Sequence, residues 1–102
     1  MLQLSDAQRT ALTSLCTNWH VAELSFFGSA TRADFDEQSD VDLLVVFAPG
    51  WTPGFAFMGF CRELTAILRR TVDVFTRAGV ERAGDPRIRE TMLRTAQRYY
   101  GA

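Results

Sequence analysis

Residues 40–47, with the sequence DVDLLVVF, join two aspartates to a continuous apolar run. Successive side chains of a β-strand point to opposite faces, so we expect Asp40 and Asp42 to project from one face with Cα atoms about 6.6 Å apart. A strand that is apolar over its remaining length is typical of the buried centre of a sheet. The stretch therefore predicts a buried strand that carries two carboxylates at its exposed rim.

Helices and strands alternate along the rest of the chain. Ser5 followed by Gln8 is a capping-box pattern, and apolar residues recur at helical spacing behind it. The alternation predicts an α/β fold, with a small mixed three-stranded sheet flanked by helices. The predicted elements before residue 50 are a helix over 6–18, a strand over 21–27 and the strand over 40–47. A second helix, with Phe57 on its apolar face, ends near Arg70, and a strand over 71–76 follows it. A last helix begins after Asp85-Pro86, and its inner face carries Ile88, Met92, Leu93, Ala96 and Tyr100.

Length and composition indicate one small domain. The chain has 102 residues, of which 47% are hydrophobic. It is shorter than a typical domain of about 150 residues, so we expect a single domain over 1–102 with its own core. All 11 basic residues are arginines, and they oppose 12 acidic residues for a net charge of -1. This balance argues against direct nucleic-acid binding, because such domains neutralise phosphates with an excess of basic residues.

No segment of the sequence predicts export or a membrane span. The start lacks the pattern of a signal peptide, and the uncharged run over 43–61 is interrupted by two Pro-Gly pairs between 49 and 54. We therefore expect a cytoplasmic protein with no membrane partner. Cys16 and Cys61 lie in apolar segments without metal-ligand spacing, which predicts two buried, reduced thiols.

A third aspartate follows in a later strand. Asp73 lies between Val72 and Val74, and a carboxylate in a core strand needs a partner. An ion pair would supply that partner, with candidate arginines at 69, 70 and 77. The carboxylates of Asp40 and Asp42, about 6.6 Å apart, repel each other by about 2.5 kcal/mol at an effective dielectric constant of 20. A divalent cation bound between them would turn this repulsion into a net attraction. The first two aspartates also have a purely structural interpretation, as the polar start of a strand.

The turn after the first predicted strand is a candidate anion site. Its backbone N–H groups and the Ser29 hydroxyl would hold a phosphate at Gly28-Ser29, although Gly-Ser is also a common turn. Arg32 follows about one helical turn later and would reach the same anion, unless it is an ordinary exposed arginine.

These features combine into one pattern: Gly28-Ser29, ten residues, Asp40-x-Asp42 followed by four apolar residues, and Asp73 in a later strand. The pattern resembles the minimal nucleotidyltransferases of the DNA polymerase beta-like superfamily over nearly the whole chain. The resemblance implies that Gly28 and Ser29 hold the phosphates of a nucleotide. It also implies that Asp40, Asp42 and Asp73 are catalytic and bind two Mg²⁺ ions.

The resemblance extends to a biological role. Free-standing domains of this kind resemble the antitoxins of toxin–antitoxin pairs, whose partner is a HEPN-domain ribonuclease toxin. This resemblance to antitoxins implies that the chain transfers AMP from ATP to a tyrosine of that toxin, and that the two proteins form a hetero-oligomer. Two metal ions would bind the attacking oxygen and the departing pyrophosphate. We assign Asp40 and Asp42 to both ions, and Asp73 to the catalytic ion and to the proton of the acceptor.

Two other functions remain open on the sequence alone. The first is an antitoxin that binds the HEPN toxin stoichiometrically without turnover. The second is nucleotide transfer to a small molecule or to an RNA end.

Several residues outside this pattern have an ordinary structural interpretation as well as a functional one. We expect His20 to be exposed or to cap a helix, in preference to a catalytic role. Trp51 either folds over the core or stacks on adenine or contacts a partner. A solvated helix face, or a surface that grips an acidic partner or a triphosphate, is the interpretation of Arg87, Arg94 and Arg98. Phe55 and Met58 fall off the predicted helix face, and we expect them to form an exposed apolar contact surface.

Overall fold

The computed structural model describes residues 2–31, 33, 36, 39–84 and 86–101. Four helices and four strands alternate along them, so the predicted α/β class is confirmed. The elements are α1 (Asp6–Asn18), β1 (Val21–Phe27), a 3₁₀ turn (Gly28–Thr31), β2 (Val41–Phe47), a 3₁₀ turn (Gly54–Ala56) that continues into α2 (Phe57–Leu68), β3 (Val72–Thr76), α3 (Arg77–Ala83), α4 (Pro86–Thr95) and β4 (Gln97–Tyr100).

Local sequence signals account for the first helix and strand. The Ser5 hydroxyl accepts a hydrogen bond from the Gln8 amide, while the Gln8 side chain accepts one from the Ser5 amide, which is the predicted capping box. Helix α1 and strand β1 have the predicted bounds. Helix α2 ends at Leu68, two residues before the predicted position, because Arg69 adopts a left-handed conformation with φ of 56°.

The sheet has four strands in the order β3-β2-β1-β4, so the predicted three-stranded sheet is wrong by one strand. Strand β1 pairs with β2 and β4 in antiparallel fashion, whereas β2 and β3 are parallel. The sheet is therefore mixed, as predicted.

The fourth strand replaces the end of the predicted last helix. Helix α4 ends at Thr95, and Tyr100 lies in β4, where it pairs with Leu24 of β1. The apolar spacing from Ile88 to Tyr100 is compatible with a helix, but the Gln-Arg-Tyr-Tyr segment is also suited to a strand and completes the open edge of β1. Helix α3 was not predicted, and its first turn is capped by the Thr76 hydroxyl, which accepts a hydrogen bond from the Gly79 amide.

The main core lies on one side of the sheet. Alternate residues of β2, namely Val41, Leu43 and Val45, are fully buried against apolar residues of α1 and α2. The residues between them, including Asp42, belong to the other face and are half-buried. Helix α4 contacts β1 and the 3₁₀ turn over 28–31, so it lies beside the end of β2 that carries the aspartates.

Candidate functional site

Two of the three predicted aspartates are direct neighbours in the sheet. Asp42 of β2 and Asp73 of β3 are register partners across the parallel pair. Adjacent strands lie about 4.8 Å apart, so both side chains leave the same face at that spacing. Asp40 precedes β2 by one residue and is exposed, whereas it was predicted to begin the strand. The fold thus brings a residue of the later strand next to the Asp-x-Asp segment.

The expectation that Asp73 is a core carboxylate in need of a partner is wrong. Its side chain is exposed, because β3 is the edge strand of the sheet and none of its residues is fully buried. Arg77, one of the arginines considered for an ion pair with Asp73, instead contacts Glu23 with an N–O distance of 3.4 Å. Exposure removes the desolvation cost of the Asp73 charge and leaves the carboxylate accessible to an incoming group.

Gly28 forms the wall of the site beside Asp42. It follows directly on Phe27, which is the cross-strand partner of Asp42. Its φ is +66°, and a Cβ atom added to it would lie 2.7 Å from the Asp42 Oδ2 atom. A side chain at this position would require both an unfavourable left-handed backbone and displacement of the carboxylate. Glycine is therefore required here for conformation and for space.

Two hydrogen bonds within the protein hold this turn. The Gly28 amide donates to Thr95 Oγ1 at 3.0 Å, and the Thr31 hydroxyl donates to the Gly28 carbonyl at 2.8 Å. The assignment of Gly28 and Ser29 to the phosphates of a nucleotide stays a prediction. The Ser29 backbone belongs to the 3₁₀ turn, and Arg32 lies outside the described residues.

Thr95 is the residue of this site that the sequence analysis missed. It is the last residue of α4 and lies 67 positions from Gly28 in the chain. A threonine at a helix end has many possible roles, so no local pattern indicates a contact over that separation.

The donor set suits Mg²⁺ in its chemistry, since carboxylate oxygens are the ligands that this hard cation takes. Within the described part of the chain, however, no group of three or more His, Cys, Asp or Glu side chains is close enough together to hold a metal ion. The fold aligns Asp42 and Asp73 and leaves Asp40 on the segment leading into β2. The assignment of all three to metal binding stays a prediction.

The two cysteines have no catalytic features. Both thiols are free. Cys16 is fully buried as predicted, and its burial raises the pKa of the thiol to about 11. Cys61 is only half-buried, contrary to the prediction of two buried thiols, and burial raises its pKa as well. Raised pKa values keep both groups protonated and unreactive near neutral pH.

An aromatic cleft lies at the other end of β2. It has a volume of about 550 Å³ and is lined by residues of β2, of the turn that follows it, and of the junction between β3 and α3. Trp51 belongs to this lining and packs against Trp19, His20 and Phe47, so it folds over the core. The cleft lining contains none of the three aspartates.

The remaining predictions concern the surface. Phe55 and Met58 are 102% and 62% exposed, which agrees with the prediction of an exposed apolar surface. Arg94 forms an exposed ion pair with Glu90 at 3.8 Å, as expected of a solvated helix face. Arg98 lies in β4 instead, with its guanidinium 3.0 Å from Glu23.

A family model described as a nucleotidyltransferase domain matches residues 9–99. The match includes Gly28, Asp42, Asp73 and Thr95. The chain belongs to the nucleotidyltransferase domain family. Its resemblance to minimal nucleotidyltransferases is thereby confirmed at the level of the family and of the α/β fold.

Solved structures place this nucleotidyltransferase domain among small relatives. A structure described as a minimal nucleotidyltransferase is 36% identical, with 89% of this chain and 88% of that one covered and a TM-score of 0.66. No curated protein matches the sequence.

More distant neighbours have the same fold. One is a toxin–antitoxin complex with AMP-PNP, with 17% identity, 92% of this chain and 73% of that one covered, and a TM-score of 0.69. Another neighbour is described as a tri-AMPylated HEPN toxin of Shewanella oneidensis in complex with MNT antitoxin. It is 15% identical, the alignment covers 93% of this chain and 71% of that one, and the TM-score is 0.63.

In this nucleotidyltransferase domain, no described helix is long and apolar enough to cross a membrane.

Proposed function

We propose that this domain, acting as a single unit over residues 1–102, is an antitoxin that transfers AMP from ATP to a tyrosine of a HEPN ribonuclease toxin. The transfer inactivates the toxin, takes place in the cytoplasm and occurs within a hetero-oligomer of the two proteins. Two free thiols are in keeping with a reducing compartment.

The observation that carries the proposal is the pairing of Asp42 with Asp73 beside the Gly28 turn, in a chain that belongs to the nucleotidyltransferase family. Transfer of a nucleotidyl group needs little covalent chemistry from the protein and depends on positioning and charge stabilisation. Clustered carboxylates at a sheet edge can stabilise the negative charge of the phosphates only if bound cations neutralise the carboxylates. The fold neighbours that contain AMP-PNP and an AMPylated HEPN toxin support ATP as the nucleotide and a HEPN protein as the acceptor.

Each residue of the site has a proposed role. Asp40, Asp42 and Asp73 would hold two Mg²⁺ ions, which when bound neutralise charge at the attacking and departing oxygens. We assign to Asp73 the acceptance of the proton from the tyrosine hydroxyl, and its exposure supports this assignment. Gly28, Ser29 and Arg32 are proposed to contact the phosphates of ATP. Gly28 leaves space for the Asp42 carboxylate.

The direct test combines the purified chain with the HEPN protein encoded beside it, ATP and Mg²⁺. Intact-mass spectrometry should show the HEPN protein heavier by whole multiples of AMP, and chelation of Mg²⁺ should abolish the change. Asp42→Asn should remove the activity. The matched control is Glu63→Gln, which keeps an acceptor for the Trp19 indole N–H at the opposite side of the molecule and should retain it. An unmodified HEPN protein in the presence of the wild-type chain would refute the proposal.

A second candidate function is neutralisation by stoichiometric binding. It is favoured by the exposed apolar side chains of Phe55 and Met58, which suit contact with a partner protein. A variant in which Asp40, Asp42 and Asp73 are all asparagine separates the two functions. If this variant protects cells from the toxin as well as the wild-type chain at equal expression, binding is sufficient. If protection is lost while the complex still forms, transfer is required.

A further inference from the structure

The turn at Gly28 is held by two hydrogen bonds, one to the amide of Gly28 and one to its carbonyl. Its amide donates to Thr95 Oγ1 at 3.0 Å in a partly buried position, and its carbonyl accepts from the Thr31 hydroxyl at 2.8 Å. The Thr31 bond is local, since the two residues belong to the same 3₁₀ turn. The Thr95 bond instead connects the turn to the end of α4, a separate part of the chain.

The end of α4 is a rigid place from which to hold that turn. The Ala96 amide donates to the Met92 carbonyl at 2.8 Å, and the Met92 side chain is 4% exposed. Directly after Ala96 the chain enters β4, where Gln97 pairs with Phe26 of β1. Thr95 is therefore fixed on one side by a buried helix residue and on the other by the sheet.

The Gly28 turn in turn bounds the position of the Asp42 carboxylate. A Cβ added to Gly28 would lie 2.7 Å from Asp42 Oδ2, so the turn backbone and this oxygen are separated by little more than the space of a missing methyl group. Phe27, which precedes Gly28, is also the cross-strand partner of Asp42. The Gly28 turn, which is bonded to Thr95, therefore lies directly beside the Asp42 carboxylate.

We propose that Thr95 is a positioning residue of the nucleotidyl-transfer site, which acts by fixing the Gly28 turn against the Asp42 carboxylate. The inference rests on the proposed function for its effect on catalysis, but the hydrogen bond and its effect on Asp42 are properties of the protein itself. Its hydroxyl is engaged by the Gly28 amide, and so its contribution passes through Gly28 and Asp42.

The test compares Thr95→Val, which keeps the shape of the side chain and removes the acceptor, with Thr95→Ser, which keeps the hydroxyl. Thr65→Val is the matched control, because it removes a threonine hydroxyl that bonds a helix carbonyl away from the site. Two readouts need no activity: hydrogen exchange of the Gly28 amide and the ¹³C chemical shift of the Asp42 carboxyl carbon. The third is the split between kcat and KM in AMP transfer.

Thr95→Val should accelerate exchange of the Gly28 amide at least about 10-fold, because the amide loses the acceptor that protects it from exchange. It should also shift the Asp42 carboxyl signal and lower kcat about 10-fold, with KM for ATP within about 3-fold of the wild-type value. Thr95→Ser should restore all three readouts, and Thr65→Val should leave them unchanged.

Wild-type exchange of the Gly28 amide, or an unmoved Asp42 signal, in Thr95→Val would overturn the inference. So would an equal loss of kcat in Thr95→Ser. A wild-type chain without transfer activity would refute the proposed function instead, and the two spectroscopic readouts would then decide the role of Thr95 by themselves.

Discussion

Replacing Gly28 by alanine separates the two constraints on this residue. The first is conformational: φ is +66°, and a non-glycine residue in the left-handed region costs about 1–2 kcal/mol. The second is steric, because the new Cβ would lie 2.7 Å from Asp42 Oδ2, whereas ordinary contacts begin at 3.4 Å. The carboxylate oxygen must therefore retreat by about 0.7 Å unless the turn itself moves.

Gly84 provides the matched control. It has the same φ of +66°, and no atom of the described residues lies within 4 Å of the position of an added Cβ. Both alanine variants should lose about 1–2 kcal/mol of unfolding free energy from the backbone conformation. Only the variant at Gly28 should lose transfer activity beyond its loss of folded protein, by about 10- to 100-fold, because displacements approaching 1 Å at a reacting centre cost up to about 10²-fold.

The unfolding free energies are measured by urea titration with tryptophan fluorescence, and the transfer rates at saturating ATP and Mg²⁺ at a temperature where both variants are folded. Wild-type transfer by the folded Gly28→Ala protein would refute the reasoning, because it would show that the carboxylate is not constrained by the turn. An equal loss of activity in Gly84→Ala would refute it as well, since a general effect of backbone strain would then explain both.

Three further perturbations test the electrostatics and packing of the domain. Asp73→Asn should raise the unfolding free energy by about 0.2–1 kcal/mol in Mg²⁺-free, low-salt buffer, because it removes the repulsion between Asp73 and Asp42. A lower unfolding free energy of this variant in urea titrations would contradict the pairing of the two carboxylates. The pKa of the Cys16 thiol is raised from 9.0 to about 11, so the unfolded chain loses this proton first and stability falls as the pH rises from 9 through 11. The contribution of Cys16 to this fall is at most about 2.7 kcal/mol. Cys16→Ala should make the fall smaller by that amount in unfolding measured below pH 9 and near pH 11, and Cys61, whose pKa is also raised, should account for part of what remains. Phe60→Ala should lower the unfolding free energy by about 3–5 kcal/mol, because this side chain is fully buried. Phe55→Ala, at an exposed side chain, should change the unfolding free energy by no more than about 0.5 kcal/mol. Equal shifts of the thermal unfolding midpoint in the two variants would contradict this packing.

The elements predicted correctly from the sequence are those whose signals are local. The capping box of Ser5 and Gln8 defines the start of α1 through contacts between residues three positions apart. The apolar run over 43–47 predicted a strand there, although its burial was predicted throughout and only alternate residues of the strand are fully buried. The family pattern of Gly28, Asp42 and Asp73 likewise depends on residue type and spacing alone.

The errors arose where a segment has two locally acceptable conformations. Tyr100 fits the inner face of a helix by its spacing, and it fits a strand by its aromatic character. The open edge of β1 decides between them, since pairing with residues 97–100 satisfies backbone groups that a longer helix would leave exposed. Asp73 was expected in the core because of its two valine neighbours, but its strand lies at the edge of the sheet.

The chemical groups of this domain, and the short elements in which they lie, follow from the order of its residues, because capping, strand formation and glycine conformation depend on near neighbours. The pairing of Asp73 with Asp42, and the hydrogen bond from the Gly28 amide to Thr95, follow instead from the folding of the whole chain. Both contacts join residues far apart in the chain, and their existence depends on the register of whole strands and on where α4 ends. Such choices are made by the packing of the complete sheet, to which every element contributes.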